Sequence, residues 1–299
     1  MAENRKKLSY GWEKLNVEIL VRIFHNCFSL EERTTSGLAL AHVCGGWRAA
    51  SCDPLLWNTL DLSLMEPIFI PTALSQYMFH AMRRSERKLA RILKLSLSLS
   101  KGNISTLIFP YNLFLSDEMV TYTAERCPNL RRLVLPDWNN NAKQYCQKGK
   151  TPSVPDPHVV FESIAVNCKN FKELKTMGSI DLNFAKTLVG LLPNLEVLSL
   201  RCSAIHRDAL ITILNKLKSL EVLNISHSYL VVPKQKRIIV RKLNKKIKNE
   251  GSKLKQFLTC MEYETCVMCQ RTEKDEGNIS WDDYEEGLWK ADEISSLHL

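Results

Sequence analysis

The 299-residue chain has no run of roughly 18 or more apolar residues, so no part of it reads as a membrane-spanning helix. Met1 to Lys7 is polar and basic with no apolar stretch behind it, and no secretory signal is expected there. A Gly-rich phosphate loop, a His-Glu-x-x-His helix and a serine elbow are all missing. The seven histidines are scattered; His25 and His42 fall in a helical segment, where a structural or exposed role is expected rather than a catalytic one. With no catalytic constellation and no cofactor motif, a non-enzymatic binding function is expected. Ten cysteines without an export signal are expected to be reduced thiols of the cytoplasm or nucleus. For the same reason the Asn-x-Ser triplets at Asn103, Asn224 and Asn278 are not expected to carry sugar.

Charge is lopsided rather than scarce. The formal net charge is +9, yet residues 234–255 hold ten Lys/Arg against a single Glu250, and from 256 onward eleven Asp/Glu face Arg271, Lys274 and Lys290. The two tracts nearly cancel, so the basic total is a poor argument for nucleic acid. In the basic tract Ile239, Leu243 and Ile247 recur at i, i+4 and i+8, which predicts an amphipathic helix capping the open end of whatever precedes it. Its charged face is expected to be solvated, with an import signal, an acidic partner or the acidic tail from Glu262 to Glu293 as other uses. Cys266-x-x-Cys269, with Cys260 upstream, has metal-like spacing but no second pair. A structural zinc site takes four ligands, so buried or idle thiols are expected and no metal.

Two segments have strong periodicity. Between Trp12 and Trp57, Val17, Leu20, Val21, Phe24 and Phe28 form one helical stripe, with Leu15, Ile19 and Ile23 off it. Leu40, Val43, Cys44 and Trp47 repeat the helical period, and Asp53-Pro54 starts a short turn leading to Trp57. A module of roughly 45 residues with this much apolar surface is expected to need a partner to cover it. Further on, a Leu-x-x-Leu-x-Leu signature recurs at Ile104-Leu107-Phe109, Leu130-Leu133-Leu135, Phe171-Leu174-Thr176, Leu195-Leu198-Leu200 and Leu220-Leu223-Ile225. The spacings are 26, 41, 24 and 25 residues, and the long one holds an Asn/Lys/Pro-rich insertion at 139–157. Ile92-Leu95-Leu97 reads as a further, irregular rung, and Phe114, Ile205 and Leu230 recur ten places after their anchors.

This is the period of leucine-rich repeats: each unit supplies a strand and a covering helix, and only stacking makes the core continuous. The alternative is an ordinary α/β domain. In a stacked array the outward strand residues Val134, Pro136, Lys175, Ser199, Arg201, Asn224 and Ser226, with the aromatics Trp138 and Tyr229 just beyond, would face a protein partner. Cys127 and Cys168 fall at equivalent repeat positions and read as small core residues.

The ordered pieces Leu15-x-x-Glu18-Ile19-Leu20-x-x-Ile23-Phe24, Leu40-x-x-Val43-Cys44-x-x-Trp47-Arg48 and Pro54-x-x-Trp57 resemble the F-box. Nearly the whole chain is similar to the plant F-box/leucine-rich-repeat proteins, and Trp289-Lys290-Ala291-Asp292-Glu293-Ile294-Ser295-Ser296-Leu297 resembles the ending of one plant subgroup. One departure is Asn16, where that family usually has proline; Asn caps a helix as well as Pro begins one.

The resemblance implies an α/β fold: an all-helical F-box followed by a short solenoid, with parallel strands on the concave side and helices on the convex side. It implies an F-box at 8–60, a connecting helical segment at 61–91, repeats at 92–233, a basic capping helix at 234–258 and an acidic tail at 259–299. It also implies a substrate receptor of a Skp–cullin–F-box ubiquitin ligase. In that role Leu15, Val17, Ile19, Leu20, Ile23, Phe24, Val43, Trp47 and Trp57 would meet the Skp adaptor, and through it cullin and RING subunits. The repeats would hold a protein target, with no cofactor and no membrane. A scaffold that no longer binds the adaptor is one alternative. A nucleic-acid binder using residues 234–255 is another, disfavoured because the repeat surface lacks a basic patch with interleaved aromatics.

Overall fold

The computed structural model describes residues 11–29, 32, 39–63, 75–110, 116–137, 156–232, 243–260, 262, 264–274 and 290–299. Trp138, Phe114, Ile239, Trp289 and most of the insertion at 139–157 lie outside them. None of the described helices is long and apolar enough to cross a membrane.

The helical module comes first. Helix α1 (Val17–Cys27) begins at Asn16, whose side-chain oxygen accepts the Glu18 backbone N–H at 2.8 Å, so the departure from proline leaves helix initiation intact. Helix α2 (Gly45–Ser51) is shorter than its periodicity suggests. Cys44 is extended, with φ −161° and ψ 175°, so Leu40, which is helical, and Val43, on the turn after it, both precede the helix carrying Trp47. A 3-10 turn (Pro54–Leu56) follows, capped by Asp53, which accepts the Leu55 N–H at 2.9 Å.

The module then runs straight into a parallel sheet. Strands β1 (Thr59–Asp61), β2 (Thr106–Ile108), β3 (Arg132–Asp137), β4 (Glu173–Met177), β6 (Val197–Ser199), β8 (Val222–Ser226) and β10 (Gln256–Cys260) are hydrogen-bonded side by side in that order. Register puts Leu60, Leu107, Leu133, Leu174, Leu198, Leu223 and Phe257 on one rung line, so the middle leucine of every expected repeat is a ladder position. A second parallel sheet joins β5 (Ser179–Ile180), β7 (Ala204–His206) and β9 (Tyr229–Val231), pairing Ile180 with Ile205 and Ile205 with Leu230.

Four helices cover the inward leucines on the outer side. They are α4 (Asp117–Arg126), α5 (Pro157–Asn167), α6 (Leu182–Leu191) and α7 (Arg207–Lys216), each packed on the next. Three start at a side-chain cap from Ser116, Asp156 or Asp181. Phe161 and Phe184 lock α5 to α6 edge-to-face at 5.3 Å. Cys127 and Cys168 are buried where consecutive helices end. The Cys168 thiol donates to the Cys127 carbonyl at 3.3 Å, and burial pushes both thiols up to about 12.

Three element assignments depart from the sequence pattern. Ile92, Leu95 and Leu97 are no rung: they lie in α3 (Ser75–Ser100), which buries Leu89, Leu93 and Leu97 at helical spacing. The alternation Leu93-x-Leu95-x-Leu97-x-Leu99 imitates a strand, and the solenoid starts instead at β1, within the end of the expected F-box. The capping helix is α8 (Lys245–Gly251), with Ile247 buried and Leu243 against the core. It stops before 258 because the chain turns at 252–255 and adds β10 beside β8, a seventh rung.

One core runs through both parts, since Leu20, Phe24 and Trp57 belong to the same buried cluster as the ladder leucines. Leu198 is fully buried at the middle of the ladder. Leu198→Ala is expected to cost about 2–5 kcal/mol. Chemical denaturation should show the loss, and hydrogen exchange should show β4 and β8 loosening before β1.

Candidate functional site

The helical module separates the residues with F-box spacing into two groups. Leu20, Val21, Phe24, Leu56 and Trp57 are buried, so they hold the module together. Trp57 donates its indole N–H to the Ser51 carbonyl at 2.5 Å, and Phe24 meets Phe28 and Trp47 edge-to-face at 6.0 and 5.3 Å. Leu15, Ile23 and Trp47 are half-buried against that core, Trp47 donating to the Trp12 carbonyl at 3.2 Å. Val17, Ile19 (49% exposed), Val43 (56%), Leu55 and Trp12 point into solvent. Trp12 and Leu55 escaped the sequence reading, because each stands just outside the apolar period that the spacing test follows.

The concave face is closed by the chain itself. Val134, Lys175, Ser199, Arg201, Asn224 and Ser226, expected to face a partner across open surface, are all buried, and so is Tyr229. Pro136 lies on β3. What covers the strands is the terminal segment 290–299. Ile294 and Leu297 enter a second apolar cluster with Ile108, Val134, Met177 and Cys202.

Polar contacts fix the segment's register. The Lys175 ammonium, 1% exposed, lies 3.3 Å from an Asp292 carboxylate oxygen and donates to the Ala291 and Leu297 carbonyls at 3.1 Å each. Asp292 also accepts from the Ser199 hydroxyl at 2.7 Å and the Asn224 amide at 2.8 Å. Glu293 accepts from both the Asn224 amide (2.6 Å) and the Arg201 guanidinium (3.1 Å), and stands 3.0 Å from Nε2 of His227. The Ser296 hydroxyl donates to Glu173, which also pairs with Arg132. Asp292 and Glu293 thus neutralise Lys175 and Arg201 of the concave face.

Burial alone would raise the Glu293 carboxyl, but hydrogen bonds from His227 and Asn224 and the Arg201 charge outweigh it and hold the group well below its ordinary 4.5. A carboxyl lowered on folding stabilises fully above its unfolded value and loses that contribution as pH falls. The stability gap between the wild type and Glu293→Gln is therefore expected to be full above about pH 4.5 and to shrink below it. Thermal melts of both proteins across pH 3–7 check this.

A third cluster lies where the solenoid ends. His227 follows β8, Cys260 ends β10, and Cys266 and Cys269 sit at the start of α9 (Val267–Lys274). Their ligating atoms all lie within 4.8 Å of one another. The fourth donor that the cysteine spacing lacks is present in space: parallel pairing of β10 on β8 brings His227, 33 residues before Cys260, to the cysteines. Burial opposes ionisation of Cys266, but the Cys269 backbone N–H and the neighbouring side chains prevail and bring it down to about 7.

Comparison with known proteins agrees with this architecture. Residues 12–63 match the F-box-like family, a stretch that takes in β1, the first rung of the sheet. The F-box/LRR-repeat protein At3g48880 of Arabidopsis thaliana is 55% identical, over 96% of this chain and 96% of its own length. A putative F-box protein of the same plant, At4g11580, is 26% identical over 96% of each chain. The Arabidopsis F-box protein SKIP1 is 27% identical over 54% of this chain and 45% of its own length. With a helical F-box fused to a ladder of parallel rungs, and a near full-length relative at that identity, the chain belongs to the F-box/LRR-repeat family.

Proposed function

We propose that the protein is the substrate-recognition subunit of a Skp–cullin–F-box ubiquitin ligase. Its F-box docks on the Skp adaptor, and its repeats hold a protein target for ubiquitination and degradation. The observation that carries this reading is the set of large apolar side chains left in solvent on a module whose own core is already filled: Trp12, Val17, Ile19, Val43 and Leu55. Exposed aliphatic and aromatic groups of this kind gain about 25 cal/mol per Å² when a partner covers them. The half-buried Leu15, Ile23 and Trp47 would line the same interface, while Leu20, Phe24 and Trp57 support it from beneath.

In such a ligase the thioester chemistry belongs to the conjugating enzyme. The receptor supplies only proximity, which raises the effective concentration of a target lysine. No catalytic residue is assigned to this chain, and the cytoplasm or nucleus is its expected place of work.

For the target, the concave residues Val134, Lys175, Ser199, Arg201, Asn224 and Ser226 become available only if residues 290–299 lift away. With that segment seated, Glu293, Ser295 and His298 are its exposed residues. Trp138 lies outside the described residues.

Co-expression of the full chain with a Skp-type adaptor tests the assignment. A complex stable through gel filtration is expected. A chain that elutes alone at micromolar concentrations of both would refute it and favour the scaffold without ligase association.

A further inference from the structure

The cluster of His227, Cys260, Cys266 and Cys269 has the dimensions of a metal site. Cys266 Sγ is 3.3 Å and Cys269 Sγ 3.6 Å from His227 Nδ1, and Cys269 Sγ is 3.7 Å from Cys260 Sγ. Zinc bonds to sulfur at about 2.3 Å and to imidazole nitrogen at about 2.0–2.1 Å, so the edges of a tetrahedral site are about 3.8 Å for S···S and about 3.5 Å for S···N. The three separations lie within about 0.2 Å of those edges. Ordinary packing of thiols has no reason to place three of them around one imidazole nitrogen.

The remaining chemistry agrees. Nε2 of His227 stands 3.0 Å from the Glu293 carboxylate, which takes that nitrogen's proton as a hydrogen bond and leaves Nδ1 with a lone pair facing the thiols. Glu293 is itself fixed by Arg201 and Asn224, giving the carboxylate–histidine support that metal-bound imidazoles ordinarily have. Three soft thiol ligands and one imidazole, with Cys269 buried, suit zinc in a closed four-ligand site rather than a catalytic one with a free position.

We propose that His227, Cys260, Cys266 and Cys269 bind one structural zinc ion, which ties α9 to the last two strands of the main sheet and closes the end of the solenoid. Loading releases to solvent whatever protons the three thiols still hold and leaves His227 neutral, with no change of oxidation state.

Metal analysis of the purified full-length chain, kept reduced, tests this directly. About one zinc per chain is expected to survive gel filtration in a weak chelator. Cobalt exchanged into the wild type should give the visible absorption of a tetrahedral thiolate site. His227→Ala and Cys266→Ser should each lose the zinc, whereas Cys27→Ser, at an exposed cysteine outside the cluster, should keep it. Fewer than about one zinc per ten wild-type chains would overturn the proposal. So would a Cys266–Cys269 disulfide in the isolated protein, or zinc content unaffected by losing His227 and Cys266 together. Because the wild-type zinc content and cobalt spectrum need no variant, poor folding of a mutant leaves the test intact.

Discussion

Ile19→Asp combined with Val43→Asp is expected to remove binding to the Skp adaptor while the protein stays folded. Both side chains are about half exposed, Ile19 on α1 and Val43 on the turn before α2, and neither belongs to the buried core. A carboxylate there costs the free chain little, because it remains in water. In a complex the same carboxylate would be pressed into an apolar contact without a partner, at about 1–3 kcal/mol for each lost or unsatisfied interaction. Two such sites make a fall of at least about 100-fold in affinity the expected result, equivalent to about 2.7 kcal/mol. Titration calorimetry gives the affinity, and an unchanged melting temperature shows that folding was spared. Leu20→Asp is the informative contrast. Leu20 is fully buried, so it is expected to lose adaptor binding by unfolding the module.

The second large effect is expected from Asp292→Ala. Lys175 and Asp292 are almost fully enclosed, and the carboxylate pairs with that ammonium at 3.3 Å. Burial lowers the Lys175 pKa, and the Asp292 charge opposes that by favouring the ammonium. Removing the carboxylate takes the Asp292 charge away from a buried ammonium, and also deprives Ser199 and Asn224 of an acceptor. Breaking a buried pair in this way typically costs about 3–5 kcal/mol. The protein can avoid much of that by releasing the segment and letting water reach Lys175. Asp292→Ala is therefore expected to raise amide exchange across 290–299 and to open the concave face to protease or dye, with α4 to α7 unaffected. Lys175→Met should be milder, since Asp292 keeps its bonds from Ser199, Asn224 and the Ile294 N–H. Equal losses in both variants would show that the pair is not what seats the tail.

Local periodicity explains what was readable in the sequence. The F-box spacing and the middle leucine of each repeat are set by contacts within one helix or one strand, so they appear as fixed intervals in the chain. Features made by distant segments do not. His227 completes the cysteine cluster only because β10 lies beside β8, and the 29 residues between those strands leave no trace of that pairing in spacing. Outward strand residues such as Lys175 and Asn224 look alike whether they face water or the terminal segment, whose Asp292 lies 117 residues beyond Lys175. The misreading of α3 has another cause. Alternating leucines and serines fit both periods, and the helix was betrayed only by its length and by the Leu89, Leu93 and Leu97 face. Strand β10 was hidden by its basic approach and by its lack of buried residues, Gln256 and Thr259 being exposed and the other three half-buried.

Hydrogen exchange of the full-length chain, with and without the Skp adaptor, reaches the heart of this account. Binding is expected to slow exchange around Val17–Ile19, Val43 and Leu55, where apolar side chains meet water, and to leave the buried centre of α6 unchanged. Exchange through residues 12–57 that is identical with and without saturating adaptor would contradict it.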